Sequence, residues 1–294
     1  MEDISREQLK SEIQGTGFLA NIKERHLPGS SEMTELALKE YEERHESLTA
    51  ADVKQQFSYI LEQLLEIEKE LYAEYEKDVY RKALVYFLED YYAGDGTDAE
   101  ASYPETHRVM KEIEDVYTGN GDFIEDFGKI LPLLYPIFDD ISVSASQARR
   151  KRAGISLNNH IENVLEELPY SIVGKSQRGN CRKYTITADH GNSSGPTPIL
   201  MGFHTSLSDR YRQTLSEETD EEKRIPKYMA TASGRGIIRD DDRTDITVNK
   251  IDDIYSHGYK LVAFKDIKSD FRDHEGILSY ESFASRELPQ VLQG

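Results

Sequence analysis

The 294 residues contain no tryptophan and one cysteine, Cys181. A single thiol can build neither a disulfide framework nor a cysteine-based zinc site. Long apolar runs are also missing: none approaches the ~18 residues of a membrane span. The start, MEDISREQLK, has no apolar leader core. These absences lead to the expectation of a soluble cytoplasmic protein with no membrane partner. Positive charge is scarce, with Lys+Arg 36 against Asp+Glu 55 and a formal net charge of −19. Hydrophobic residues at 37% and aromatics at 10% still place the chain among globular proteins rather than disordered ones.

The acidic excess is confined to one half. Residues 1–143 carry 33 acids and 14 bases, or −19, which leaves 22 of each, or zero, for residues 144–294. An acidic segment repels nucleic acid at long range. Any contact with such a partner is therefore expected from the second half.

The halves also differ in pattern. Residues 1–143 read as helix nearly throughout. Thr49 suits an N-cap, and Phe57, Ile60, Leu61, Leu64, Leu65, Ile67, Leu71, Tyr72, Tyr75 and Val79 advance in steps of three and four. That spacing predicts one very long helix, or two joined by a kink, stopped at Gly94-Asp95-Gly96. The glutamates between these positions read as a solvated face. Further helices are predicted over 105–117 and 122–130, with Pro132 and Pro136 breaking up 131–140. No metal-ligand or nucleophile–base spacing occurs here, so this half reads as a helical domain for dimerisation or docking. A boundary is expected near residues 142–146, giving domains 1–143 and 144–294.

The second half alternates. A basic helix over 144–152 carries Arg149-Arg150-Lys151-Arg152, and Ser156 is placed to cap a helix that Pro169 ends. Strands are predicted at YTITA (184–188), ILMGF (199–203), KYMATA (227–232) and YKLVAF (259–264), with helices over 206–215 and 248–257. This order implies an α/β core with a mixed sheet flanked by helices.

Two stretches stand out: Arg152-Ala153-Gly154-Ile155-Ser156, and Thr205-Ser206-Leu207-Ser208-Asp209-Arg210-Tyr211-Arg212-Gln213. Each alone is weak. Together, with a predicted hairpin between them, they resemble the catalytic domain of the EcoRII-like type II restriction endonucleases, in the PD-(D/E)xK superfamily. The resemblance covers residues 144–270. It implies a restriction-endonuclease-like core preceded by an all-α domain, duplex DNA as partner and a homodimer reading a palindrome. It also implies Mg²⁺ as cofactor, held by two carboxylates beside a catalytic lysine.

At the implied catalytic positions the sequence departs from the family. The helix acid falls on Asn158, the strand Asp at Lys183 or Tyr184, and the catalytic Lys on His204. A lysine at a metal position repels the ion. Rescue could come from Glu162, one turn beyond Asn158, from Asp189, and from His204 acting as a base near neutral pH. The recognition segment is better kept. By resemblance, Arg210 donates to guanine and Asp209 accepts from cytosine in the major groove, while Arg212, Thr205 and Ser206 contact phosphates. Arg149, Arg150 and Arg152 form a candidate backbone clamp. Three readings stay open: a DNA-binding protein with cleavage lost or reduced, an active Mg²⁺-dependent endonuclease with a rearranged site, and a protein-interaction module that no longer meets DNA. A partner subunit supplying catalytic groups is a further possibility.

Overall fold

The structure, a computed structural model, describes residues 6–15, 23–45, 47–93, 104–117, 123–178, 181–188, 195–207, 211–216, 224–233 and 245–293. Its helices are α1 (Arg6–Gly15), α2 (Ser30–Arg44), α3 (Ala50–Ala93), α4 (Pro104–Tyr117) and α5 (Phe123–Glu166). After them come β1 (Tyr170–Arg178), β2 (Cys181–Ala188), β3 (Thr197–His204), α6 (Tyr211–Ser216), β4 (Lys227–Thr231), α7 (Val248–Ser256), β5 (Tyr259–Ala263), α8 (Lys265–Asp270) and β6 (Ile277–Ser279). The chain closes on α9 (Tyr280–Ser282), a π-helical turn over Phe283–Glu287, and α10 (Leu288–Gln293). No helix among the described residues is long and apolar enough to cross a membrane.

The chain forms two compact units, one of residues 1–29 and 71–151, the other of residues 30–70 and 152–294. Both 44-residue helices, α3 and α5, pass from one unit to the other. The expected boundary near residues 142–146 therefore lies inside unbroken helix, and the units do not follow the 143/144 division. Pro132 and Pro136 do not break α5 either. Each proline removes its own N–H donor and leaves the rest of the ladder in place, so a long helix can continue through it. Likewise Ser156 is interior to α5 rather than its cap.

Within the first unit, Glu12 of α1 closes the start of α4. Its carboxylate accepts from the Glu105 and Thr106 amides at 3.2 and 2.9 Å and from Thr106 Oγ1 at 3.0 Å. A carboxylate there satisfies orphan amides and suits the positive end of the helix dipole.

The second unit holds a six-stranded sheet in sequential order β1 to β6. β1–β2 and β2–β3 pair antiparallel, and β3 to β6 run parallel. This is the expected mixed sheet. β4 is buried at every residue, as a central strand covered on both faces must be. From α5, Leu157, Ile161, Val164 and Leu165 present one buried stripe at helical spacing. β1 was not expected from the sequence. It is an edge strand, polar and half-exposed, with a register shift between Ile172 and Gly174.

α3 is kinked at Gln56 (φ −133°, ψ 23°). The kink lets the Ser58 amide donate to Glu281 Oε1 at 2.9 Å. Ser58 Oγ donates to Glu281 Oε2 at 3.1 Å and accepts from the Lys265 amide at 3.0 Å. Phe57, Tyr280 and Phe264 pack around this joint, with ring centroids 5.1 and 5.6 Å apart.

Candidate functional site

The pairing of β2 with β3 sorts the expected catalytic residues onto two faces. Directly paired residues share a face, and neighbours alternate. Tyr184 pairs with Ile199 and Arg182 with Met201, whereas Lys183 pairs with Leu200 and Cys181 with Gly202. One face thus carries Arg182, Tyr184 and Phe203. The other carries Cys181, Lys183, Gly202 and His204.

On the first face, α5 supplies Asn158 and Glu162, one turn apart and both buried. Tyr184 Oη lies 2.8 Å from Asn158 Oδ1 and 2.6 Å from Glu162 Oε1. Arg182 Nη1 donates to Glu162 Oε1 at 2.5 Å, and Lys175 Nζ donates to Glu162 Oε2 at 2.9 Å and to Glu166 Oε1 at 3.3 Å. Burial pushes the Glu162 carboxyl up, but the Tyr184 hydroxyl, Lys175 and Arg182 together hold it below the usual carboxylate range. Burial, reinforced by Glu162, raises the Tyr184 phenol, so it stays a neutral donor. Glu162 is therefore an ionised carboxylate already holding two cations.

On the opposite face, His204 Nε2 lies 3.1 Å from Thr214 Oγ1 of α6. Burial lowers the imidazole to about 4, so it is neutral at pH 7. Gly202 marks the close approach of β3 to α6. A Cβ there would sit 3.2 Å from Thr214 Cγ2, 3.4 Å from Cys181 Sγ and 3.7 Å from His204 Nε2. Lys183 is half-buried on this face. Asp189 lies outside the described residues. The rearranged site expected from Glu162, Asp189 and His204 is thus not brought together by the described residues: the sheet separates Glu162 from His204.

The residues present do not fit a divalent metal. Among the described residues, no group of three His, Cys, Asp or Glu side chains is arranged to hold one. An ion at Glu162 would have to displace Arg182 and Lys175.

The segment expected to meet DNA leaves β3 through Thr205 and Ser206, both half-buried, to Leu207, which is fully buried. Asp209 and Arg210 lie outside the described residues. Tyr211 is buried and its hydroxyl donates to Asp253 Oδ2 at 2.8 Å, while the exposed Arg212 has Nε 3.7 Å from the same oxygen. An open cleft of about 500 Å³ between α6 and α7 is lined by Tyr211, Arg212, Leu215, Lys250, Asp253 and His257, among others.

Two arginines of the cluster are paired with glutamates of α3. Arg149 pairs with Glu76 at 3.3 Å. Arg152 pairs with Glu68 at 3.2 Å; the same carboxylate accepts from Ser156 Oγ at 2.7 Å and lies 2.6 Å from His160 Nε2. The Arg150 side chain lies outside the described residues. Glu68 is buried, so the expectation of a wholly solvated glutamate face on α3 fails there. Sequence reasoning also missed Lys175, Arg182, Thr214, Lys250 and Asp253. Their partners are distant in sequence or on another element, and no local spacing signals them.

No protein-family model matches the chain, and no curated protein matches its sequence. Solved structures do match. Metal-depleted Ecl18kI in complex with uncleaved, modified DNA superposes with a TM-score of 0.65 at 12% identity, covering 99% of this chain and 86% of that one. Metal-depleted Ecl18kI in complex with uncleaved DNA gives 0.62 at 14% identity, covering 98% and 85%. Ecl18kI is a type II restriction endonuclease. The fold is restriction-endonuclease-like. At these identities the likeness is one of architecture. On this endonuclease-like scaffold, Glu162 sits in an ion-paired cluster and His204 is a half-buried neutral imidazole across the sheet.

Proposed function

We propose that this protein binds duplex DNA at a short C/G-containing site and has lost cleavage, wholly or largely. The observation that carries the reading is the state of Glu162. On an endonuclease-like fold, the buried carboxylate one helical turn from Asn158 is neutralised by Arg182 and Lys175 and hydrogen-bonded by Tyr184. Two protein cations stand where hydrolysis would call for a metal and a free acid. The similar solved structures support the DNA half of the reading, since both are complexes of Ecl18kI with DNA. In this reading Asp209 and Arg210 read base edges, with Arg212, Thr205 and Ser206 on phosphates. A homodimer would present two such segments to a palindrome.

The test is a titration of C/G-containing palindromic duplexes by fluorescence anisotropy, in chelator and in Mg²⁺, at several salt concentrations. The expected result is binding that weakens steeply with salt and is indifferent to Mg²⁺, because the phosphate contacts are made by side chains. Plasmid incubated with Mg²⁺ or Mn²⁺ should remain uncut. Absence of binding at every salt concentration would refute the DNA reading and favour a protein-interaction module, which the −19 charge would suit. Discrete fragments abolished by His204→Ala would overturn the loss of cleavage alone.

A further inference from the structure

Within the first unit, one face of α5 is apolar and open to solvent. Ile124 is 77% exposed, Phe127 52%, Leu131 48% and Tyr135 55%, and Phe138 beyond them is half-buried. At about 100° per residue these five positions fall within an arc of about 80°. Exposed apolar residues scattered singly are ordinary, but aligned on one helix they make a patch. The three charged residues of 123–138, Glu125, Asp126 and Lys129, lie off this arc by the same spacing. Glu125 and Lys129 pair with each other at 3.1 Å. Residues 130–138 carry no charge.

This surface is unsuited to several occupants. The acidic excess of residues 1–143 repels nucleic acid and anionic headgroups. The stripe lacks the basic flank that holds an amphipathic helix on a membrane. It offers a basic partner little to pair with, since its charges stand off the arc. What fits is a second uncharged apolar stripe, and its own spacing supplies one. The steps from Ile124 to Phe138 are three, four, four and three residues, which read the same in both directions. Turned end for end about Leu131, the stripe meets itself. Leu131 then lies beside Leu131, Phe127 beside Tyr135, and Ile124 beside Phe138. Self-complementarity of this kind is what a two-fold contact requires, and alternating steps of three and four suit a packed helix pair. The area also suffices. The four exposed side chains present about 500 Å² of apolar surface. Two copies would bury about 1,000 Å², and the polar rim closing with them brings the total into the range of specific interfaces, about 1,200–2,000 Å².

We propose that α5 is a self-association surface, on which Ile124, Phe127, Leu131 and Tyr135 pack antiparallel against the same residues of a second copy of the chain. The pairing stands on exposure and spacing alone and does not depend on DNA binding.

The test is sedimentation equilibrium of the full chain without DNA, over a range of concentrations. The wild type should dimerise, and a chain carrying both Leu131→Asp and Tyr135→Asp should dimerise about a hundredfold more weakly or worse. Both sites are exposed, so its circular dichroism should be unchanged. Oxidative cross-linking decides the matter if that variant does not fold. Leu131→Cys, beside the two-fold axis, should give a covalent dimer. Lys129→Cys, exposed across the helix from the stripe, should not, and the native Cys181 is buried and cannot contribute. A wild type that stays monomeric up to about 100 μM would overturn the proposal. So would a dimer unchanged by the two aspartates, or a dimeric Leu131→Cys chain that does not cross-link. A monomer that binds phosphatidylcholine vesicles through the stripe would overturn it in favour of lipid. None of these results bears on duplex binding, which the anisotropy titration measures separately.

Discussion

Glu62 offers a sharp test of the electrostatics of the second unit. It lies on α3, half-buried, beside Asp266 of α8 and Glu281 of α9. Burial first, then these two acids, raise its carboxyl from the ordinary 4.5 to about 7. A raised carboxyl means that the folded chain keeps a proton which the unfolded chain has already released. Stability is then highest at or below about pH 4.5, declines as pH rises toward 7, and is flat beyond. A shift from 4.5 to about 7 corresponds to an upper bound of about 3.4 kcal/mol at 1.36 kcal/mol per unit. Half-exposure screens much of that, and about 1–2 kcal/mol is the expected remainder. Glu62→Gln keeps the shape and removes the charge. It should stabilise the protein by about 1–2 kcal/mol at pH ~8.5 and by about zero at pH ~4.5. Urea unfolding followed by circular dichroism, with an unchanged m-value, measures the difference. An equal gain at both pH values would refute the reasoning, because it would locate the effect in packing rather than in an uncompensated charge. A loss at the higher pH would refute it outright.

Tyr184→Phe removes the hydroxyl that reaches both Asn158 and Glu162, and should cost about 1–3 kcal/mol in thermal or urea unfolding. Glu162 is depressed, so its contribution is present above the usual carboxylate range and is lost as pH falls through its folded pKa. The variant should accordingly show a smaller loss of stability on acidification than the wild type. Gly202→Ala forces a methyl to 3.2 Å from Thr214 Cγ2 and should destabilise by about 1–3 kcal/mol. Thr214→Ser removes that methyl, and the double variant should regain part of the loss in a melting experiment. Glu68→Gln removes the buried charge that pairs with the half-buried Arg152 and faces the buried His160. It should lower the unfolding free energy by about 3–5 kcal/mol, a larger loss than any exposed α3 glutamate produces.

Much of this architecture is written locally. The three-and-four spacing from Phe57 to Val79 reappears as α3. YTITA and ILMGF lie on strands of one mixed sheet, and so do KYMATA and YKLVAF up to their last residue. Period and turn residues are short-range properties, so a sequence displays them directly. Of the predicted 206–215 helix, Tyr211–Leu215 fall in α6, Ser206 and Leu207 are not helical, and residues 208–210 lie outside the described residues. β1 escaped notice because an edge strand with polar residues and a register shift lacks a clean alternation.

The sequence by itself determined the helical first half, four of the six strands, the acidic excess, and the residue types at the positions that resemble an endonuclease's. Only the tertiary structure decided what those residues face. The register of β2 against β3 puts Glu162's partners on one side of the sheet and His204 on the other, and a slip of one residue would have reversed that arrangement. The state of Glu162 depends on Lys175 and Arg182, 13 and 20 residues away in sequence. The burial of Glu68 depends on a second helix, through partners 88 and 92 residues distant. Charge state and burial are set by the whole surrounding volume, and a linear pattern records only neighbours along the chain.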